Sequence, residues 1–223
     1  MMTNLFSTFD PASSMSMSLN WMSITLPLLL LPSSYWITKS RYMEMMKIIM
    51  NSLYKEFKML LGTNSQGMPL MFISLFLMIM INNMMGLIPY IFTATSHLTM
   101  TLSISIPLWT TLMIFGWSNH TNNMLTHLIP EGSPLILTPF MACIEMTSNI
   151  IRPGSLAVRL AANMIAGHLL MSLLGNNMIN TSNYMIPMMM TIQIMLMLFE
   201  TAVSIIQAYV FSILGTLYTS EVN

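Results

Sequence analysis

Five ionisable side chains stand in sequence surroundings that offer them almost no polar company. Glu145, Arg152, Arg159, His168 and Glu200 lie in the last third of a 223-residue chain, among Leu, Ile, Ala and Met. An ionised group at bilayer depth costs at least about 2.5–3.5 kcal/mol on insertion scales, so its default reading is functional. The carboxyls of Glu145 and Glu200 and the imidazole of His168 can take up and release protons. Arg159 cannot, because a guanidinium stays protonated in proteins. It repels a proton and holds an opposing carboxylate ionised. Its flanks are Leu156, Ala157, Val158, Leu160, Ala161 and Ala162, with no acidic residue nearby in sequence. Its carboxylate partner is therefore expected from another subunit. Arg152, next to Pro153, reads equally well as a functional group or as a structural one, an ion pair or a side chain snorkelling at a helix end, and its role stays open.

Spacing sorts these groups. At about 100° per residue, Glu145, Arg152 and Arg159 fall within about 40° of one another on a helix, and Asn163 lies one turn beyond Arg159 on the same side. His168 projects from the opposite face, roughly 13 Å further along the axis. In the last helix Glu200, Ser204 and Gln207 share a face. If the two helices are antiparallel neighbours, His168 and Glu200 lie toward one connecting turn as a proton-accessible pair. Glu145 then lies toward the opposite surface, with a permanent cation between. Ala157, Ala161, Ala162, Ala166 and Gly167 leave room for a neighbouring backbone.

The elements that position these groups must be apolar helices. Only seven basic and seven acidic residues occur, 6% charged against roughly 25% in soluble domains, while 55% of residues are hydrophobic. No charge occurs over 11–38, 59–130, 160–199 or 201–220. This excludes a soluble enzyme, a nucleic-acid binder with a basic face and a disordered chain. The expected fold class is an all-α membrane protein forming a single membrane domain over 1–223. About five membrane-crossing helices are expected, with one amphipathic surface helix.

The first span is placed at 19–37, with Pro27 and Pro32 able to kink it. Residues 39–61 differ: Lys39, Arg41, Lys47, Lys55 and Lys58 sit there with Glu44 and Glu56, and apolar residues recur at three- and four-residue steps. That is an amphipathic helix on a membrane surface, and its cations mark the cytoplasmic or matrix side. Spans at 69–90 and 98–118 form a hairpin. The stretches 134–175 and 184–220 are too long for an ordinary span, roughly 60 and 55 Å of helix against a hydrocarbon core of roughly 30 Å. They are expected as a pair of long, strongly inclined helices.

Cys143 is the single cysteine, so no intrachain disulfide can form. No zinc or redox pair and no glycine-rich phosphate loop is present, so no metal, cofactor or directly bound nucleotide is expected, and no nucleic acid. No Lys or Arg precedes the first apolar stretch, so neither a secretory signal nor a transit peptide is expected. The 30 methionines are scattered over all faces and read as replacements for Ile and Leu rather than as ligands. His97, His120 and His127 read as ordinary interfacial residues.

The run Ser155-Leu-Ala-Val-Arg-Leu-Ala-Ala-Asn-Met-Ile-Ala-Gly-His168 resembles the signature of the subunit a family of F-type ATP synthases, the stator proton-channel subunit, in its mitochondrial form. The resemblance covers nearly the whole chain. It includes Asn83-Met-Met-Gly-Leu-Ile-Pro-Tyr90, Pro130-Glu-Gly-Ser-Pro134 and the ending Gln207-Ala-Tyr-Val-Phe…Thr-Leu-Tyr218, and the amino-terminal region resembles arthropod members. It implies two inclined helices beside a rotating ring of c subunits, each ring subunit carrying a carboxylate. Arg159 matches the arginine that separates two aqueous half-channels. His168 and Glu200 match the channel from the intermembrane space, Glu145 the acidic group on the matrix side, and Asn163 and Gln207 polar residues near the arginine. The resemblance also implies a peripheral stalk and other small membrane subunits as partners, residence in the mitochondrial inner membrane, a matrix-facing surface helix, and no catalytic site in this chain. The competing reading is a self-contained proton- or ion-coupled transporter; no internal repeat supports it, and the membrane charges gather in one hairpin.

Overall fold

A computed structural model describes residues 5–13, 17–32, 36–62, 67–129, 134, 136–179 and 181–222. Every regular element among them is a helix. The α-helices are α1 (Leu26–Leu30), α2 (Arg41–Leu61), α3 (Met68–Gly86), α4 (Leu98–Asn119), α5 (Thr121–His127), α6 (Thr138–Ile179) and α7 (Ile186–Val222). Short 3-10 turns cover Leu5–Phe9, Leu19–Thr25 and Ala94–Ser96. Four helices, α3, α4, α6 and α7, are long and apolar enough to cross a membrane. The chain is an all-α membrane protein.

The stretch 19–37, expected as one continuous span, is a 3-10 turn running into the five-residue α1, and the helix ends at Leu30. Pro32 explains that end, because the ring of a proline disfavours helical backbone in the residue before it, and Leu31 is extended. Trp21 packs on Phe92 and His97 at the α3–α4 connection, whereas Leu31 reaches the apolar cluster built partly by α2. The expected span 69–90 ends early at Gly86 for a related reason. Pro89 cannot continue a helix, and the chain turns through Tyr90 in the left-handed region, φ 70°.

Ser40 caps α2, its Oγ accepting a hydrogen bond from the Met43 N–H at 3.4 Å. Gly62, at φ 73°, closes it in a backbone conformation that suits glycine. Leu53, Phe57 and Leu61 recur every fourth residue and bury one stripe of α2 against Phe72, Phe76 and Leu77 of α3 and Phe211 of α7. This cluster ties the surface helix to the bundle. Tyr209 of α7 adds a polar tie, donating its hydroxyl to Glu56 Oε2 at 3.1 Å.

The last two helices form the expected hairpin. α6 runs 42 residues without a break and α7 runs 37. Pro153 lies inside α6 and does not end it. At 1.5 Å per residue α6 is roughly 63 Å long, about twice the hydrocarbon core.

Candidate functional site

The site is built from the facing surfaces of α6 and α7, with α3 as a third wall. Asn163 and Gln207 join the two long helices directly, Asn163 Nδ2 donating to Gln207 Oε1 at 3.1 Å. One face of α7 then presents Gln207, Ser204 and Glu200 inward, all buried. This is the shared face that their spacing predicted. Glu200 sits against the backbone of α6 at Gly167. A Cβ there would stand 2.5 Å from Glu200 Oε1 and 2.6 Å from its Cδ, so any larger residue would make this carboxyl move from where it sits. His168 is next along α6, with the ring of Phe9 edge-on to its own at 6.1 Å between centroids.

These groups surround a cavity of about 300 Å³, lined by Asn83, Asn163, His168, Glu200, Ser204 and Gln207 among apolar neighbours. Both Glu200 carboxyl oxygens, His168 Nε2, Gln207 Nε2 and Asn83 Oδ1 are buried without a hydrogen-bond partner among the described residues. A space of this size holds several waters, and polar atoms left unpaired inside a protein are the groups that bind them. His168 and Glu200 share this cavity without a direct hydrogen bond. Any proton passing between them needs an intervening water.

Glu145 is elsewhere. It lies toward the start of α6 in a second cavity of about 490 Å³, with Trp109 and Trp117 of α4 and Glu221 at the end of α7. Arg152 crosses this cavity's floor. Its Nη2 donates to Glu145 Oε1 at 3.3 Å and its Nη1 to Glu221 Oε2 at 3.0 Å, and its guanidinium lies 5.1 Å from the centre of the Tyr218 ring. The role that the sequence leaves open for Arg152 is, structurally, a clamp between the two long helices.

Arg159 lies between the two groups of residues. Leu156, Ala157, Leu160 and Ala161 around it are buried in the bundle, whereas Arg159 itself is exposed. Among the described residues it takes part in no ion pair. It belongs to an open stripe of α6 with Ser155, Ala162, Asn163 and Ala166, all exposed. The small residues expected to admit a neighbouring backbone therefore divide. Ala157, Ala161 and Gly167 face this chain's own helices, and Ala162 and Ala166 face outward beside the arginine.

Sequence reasoning did not single out Asn83 as a lining residue or Glu221 as a partner of Arg152. An intramembrane amide on α3 signals the first. Glu221, alone at the end of a long uncharged stretch, offered a signal only once the pairing of α6 with α7 was known.

A family model described as the ATP synthase A chain matches residues 15–220. The chain is 57% identical over 224 residues to ATP synthase subunit a of Drosophila melanogaster, covering all of both chains. It is 57% identical over 226 residues to ATP synthase subunit a of Anopheles quadrimaculatus, and 56% over 226 residues to that of Aedes aegypti, again with full coverage of both chains.

Proposed function

Since the chain belongs to the ATP synthase A chain family, we propose that it conducts protons through the membrane sector of that machine by two offset half-channels. It is a membrane subunit of F-type ATP synthase. One half-channel is the cavity of His168, Glu200, Asn163 and Gln207. The other is the cavity of Glu145. Arg159 separates them and meets the carboxylates of a ring of c subunits passing along the open stripe of α6.

The observation that carries this reading is the position of Arg159: between two polar cavities, on an uncovered helix face, in no ion pair among the described residues. A fixed cation there cannot relay a proton and closes the direct path between the cavities. An arriving ring carboxyl, protonated in the lipid, would be held ionised beside the guanidinium and would give up its proton. On the other side, a ring carboxylate leaving Arg159 would be neutralised by a proton delivered through waters between Glu200 and His168. Each charge that crosses is worth about 2.3 kcal/mol per 100 mV, which ring rotation carries to the nucleotide sites of other subunits. The arthropod relatives and the basic α2 support residence in the mitochondrial inner membrane with α2 toward the matrix.

The test is Arg159→Lys in the assembled complex reconstituted into vesicles. Lysine keeps a charge but loses the planar fork, and it gives up its proton when desolvated. ATP-driven proton pumping should be lost while the complex still assembles. Pumping near the normal rate would remove Arg159 from this role.

A further inference from the structure

The amino-terminal turn Leu5–Phe9 carries no charge and is only five residues long, yet it packs on α6, the helix of Arg159 and His168. Its contact there is aromatic. The Phe9 ring stands edge-on to the His168 imidazole, 6.1 Å between centroids at an interplanar angle of 89°. Phe9 is half-buried, whereas Phe6 in the same turn is 67% exposed.

This turn is held from behind. Asn20 Nδ2 donates to the Asp10 carbonyl at 3.3 Å, and the Leu19 N–H donates to Ser13 Oγ at 3.3 Å. These bonds tie the residues after Phe9 to the turn Leu19–Thr25. Trp21 of that second turn is packed on Phe92 and His97, 5.7 and 5.3 Å between ring centroids. Phe9 is thus carried on an arm whose other end is fixed at the α3–α4 connection.

His168 also lines the cavity of Glu200. Phe9 does not line it, so the phenyl ring meets the imidazole on a side other than the cavity's. His168 Nε2 is buried and makes no hydrogen bond among the described residues. No polar partner among them holds that nitrogen, which leaves its placement to packing. Gly167, the preceding residue, has no side chain to contribute.

We propose that Phe9 is a positioning residue of the proton path, holding the His168 imidazole in place beside the Glu200 cavity. The inference rests on reading that cavity as a half-channel. A histidine side chain has several staggered wells. With the phenyl ring gone, the space it leaves admits the imidazole in another of them, beyond reach of Glu200 through one water.

The test is proton flux through the assembled complex in vesicles, with assembly checked by native gel. Phe9→Ala should lower flux about tenfold, the loss expected when the productive ring position is kept about a tenth of the time. Phe9→Tyr keeps the ring and should restore most of the flux. Phe9→Met keeps apolar bulk without a rigid ring; it should lower flux too, and it serves if the alanine variant does not assemble. Phe6→Ala should change nothing. The double substitution separates positioning from mere anchoring of the segment. Once His168→Gln has lowered flux by about a hundredfold, adding Phe9→Ala or Phe9→Met should cost nothing more, whereas an independent structural role would multiply the two losses. Unchanged flux in both Phe9 variants, or multiplied losses, would overturn the role of Phe9 and leave the half-channel standing. Unchanged flux in His168→Gln alone would overturn the place of His168 in the half-channel, and Phe9's role with it.

Discussion

At the scale of single residues, the proposed proton path rests on groups left without partners among the described residues. Glu200 is buried, yet neither carboxyl oxygen meets a donor among the described residues. A structural carboxylate in that position would have been paired, because an uncompensated buried charge costs several kcal/mol. Glu200→Gln keeps the shape and removes the exchangeable proton. Proton flux through the reconstituted complex should fall about a hundredfold, in the range of a lost acid–base group, with assembly unchanged. Flux equal to the unaltered complex across pH would take Glu200 out of the path. Asn163 and Gln207 play a different part, since the Asn163 amide donates to Gln207 Oε1 and ties the two helices together. Asn163→Ala strands a buried amide oxygen on Gln207, at about 1–3 kcal/mol. It should loosen α6 against α7, read as a lower thermal midpoint of the complex, with a smaller loss of flux than Glu200→Gln causes. Much of this was legible before any coordinates. A charge in an apolar run declares itself, and helical spacing put Glu200, Ser204 and Gln207 on one face. What spacing could not supply was the difference between Arg152 and Arg159. They lie seven residues apart on nearly one face, yet one is clamped by Glu145 and Glu221 and the other is free of carboxylates among the described residues. That difference is made by a residue 69 positions away in sequence.

At the scale of elements, the spacing between α6 and α7 decides whether Glu200 fits. Gly167 and Gly175 lie on the same helix two turns apart. A Cβ on Gly167 meets the Glu200 carboxyl, and one on Gly175 meets nothing within 4 Å. Alanine has the better helix propensity by about 1 kcal/mol. Gly175→Ala should therefore leave flux unchanged and stabilise slightly, whereas Gly167→Ala should displace Glu200 and reduce flux at least as far as removing its proton does. Flux assays on the pair, with assembly checked by native gel, decide it. Equal behaviour of the two alanines would mean that the close approach at Gly167 is not what seats the carboxyl. The boundaries of the helices were legible in outline and missed in detail where proline acts. Pro153 lies inside α6 without ending it, as the expectation of one long helix there requires, because one missing hydrogen bond is tolerable within a long packed helix. Pro32 and Pro89 each follow the end of one, where nothing holds the chain helical.

At the scale of the whole molecule, the four long helices set which loops share a side. α3 packs mainly on α7 and α4 on α6, and successive long helices cross in alternate directions, so every even crossing returns the chain to the surface where α2 lies. The carboxyl end belongs to that surface too. Tyr209 reaching Glu56 of α2 and the Glu221 tie to Arg152 near the start of α6 agree with it. The α3–α4 connection, with Tyr90 fully exposed, belongs to the other surface. The composition told that the chain spans a bilayer, and five of its seven basic residues marked one side. It did not tell how the first apolar stretch would run, because helix length there is set by prolines rather than by hydropathy. The even-crossing argument does not depend on that stretch. It is tested by replacing exposed Cys143 with serine and placing single cysteines at Lys55, Tyr90 and Glu221. A membrane-impermeant maleimide should label Lys55→Cys and Glu221→Cys from one side of sealed vesicles and Tyr90→Cys only from the other. Labelling of Lys55→Cys and Glu221→Cys from opposite sides would require an odd number of crossings between α2 and the end of α7. One of the long helices would then have to lie outside the bilayer, and with it one wall of the Glu200 or the Glu145 cavity.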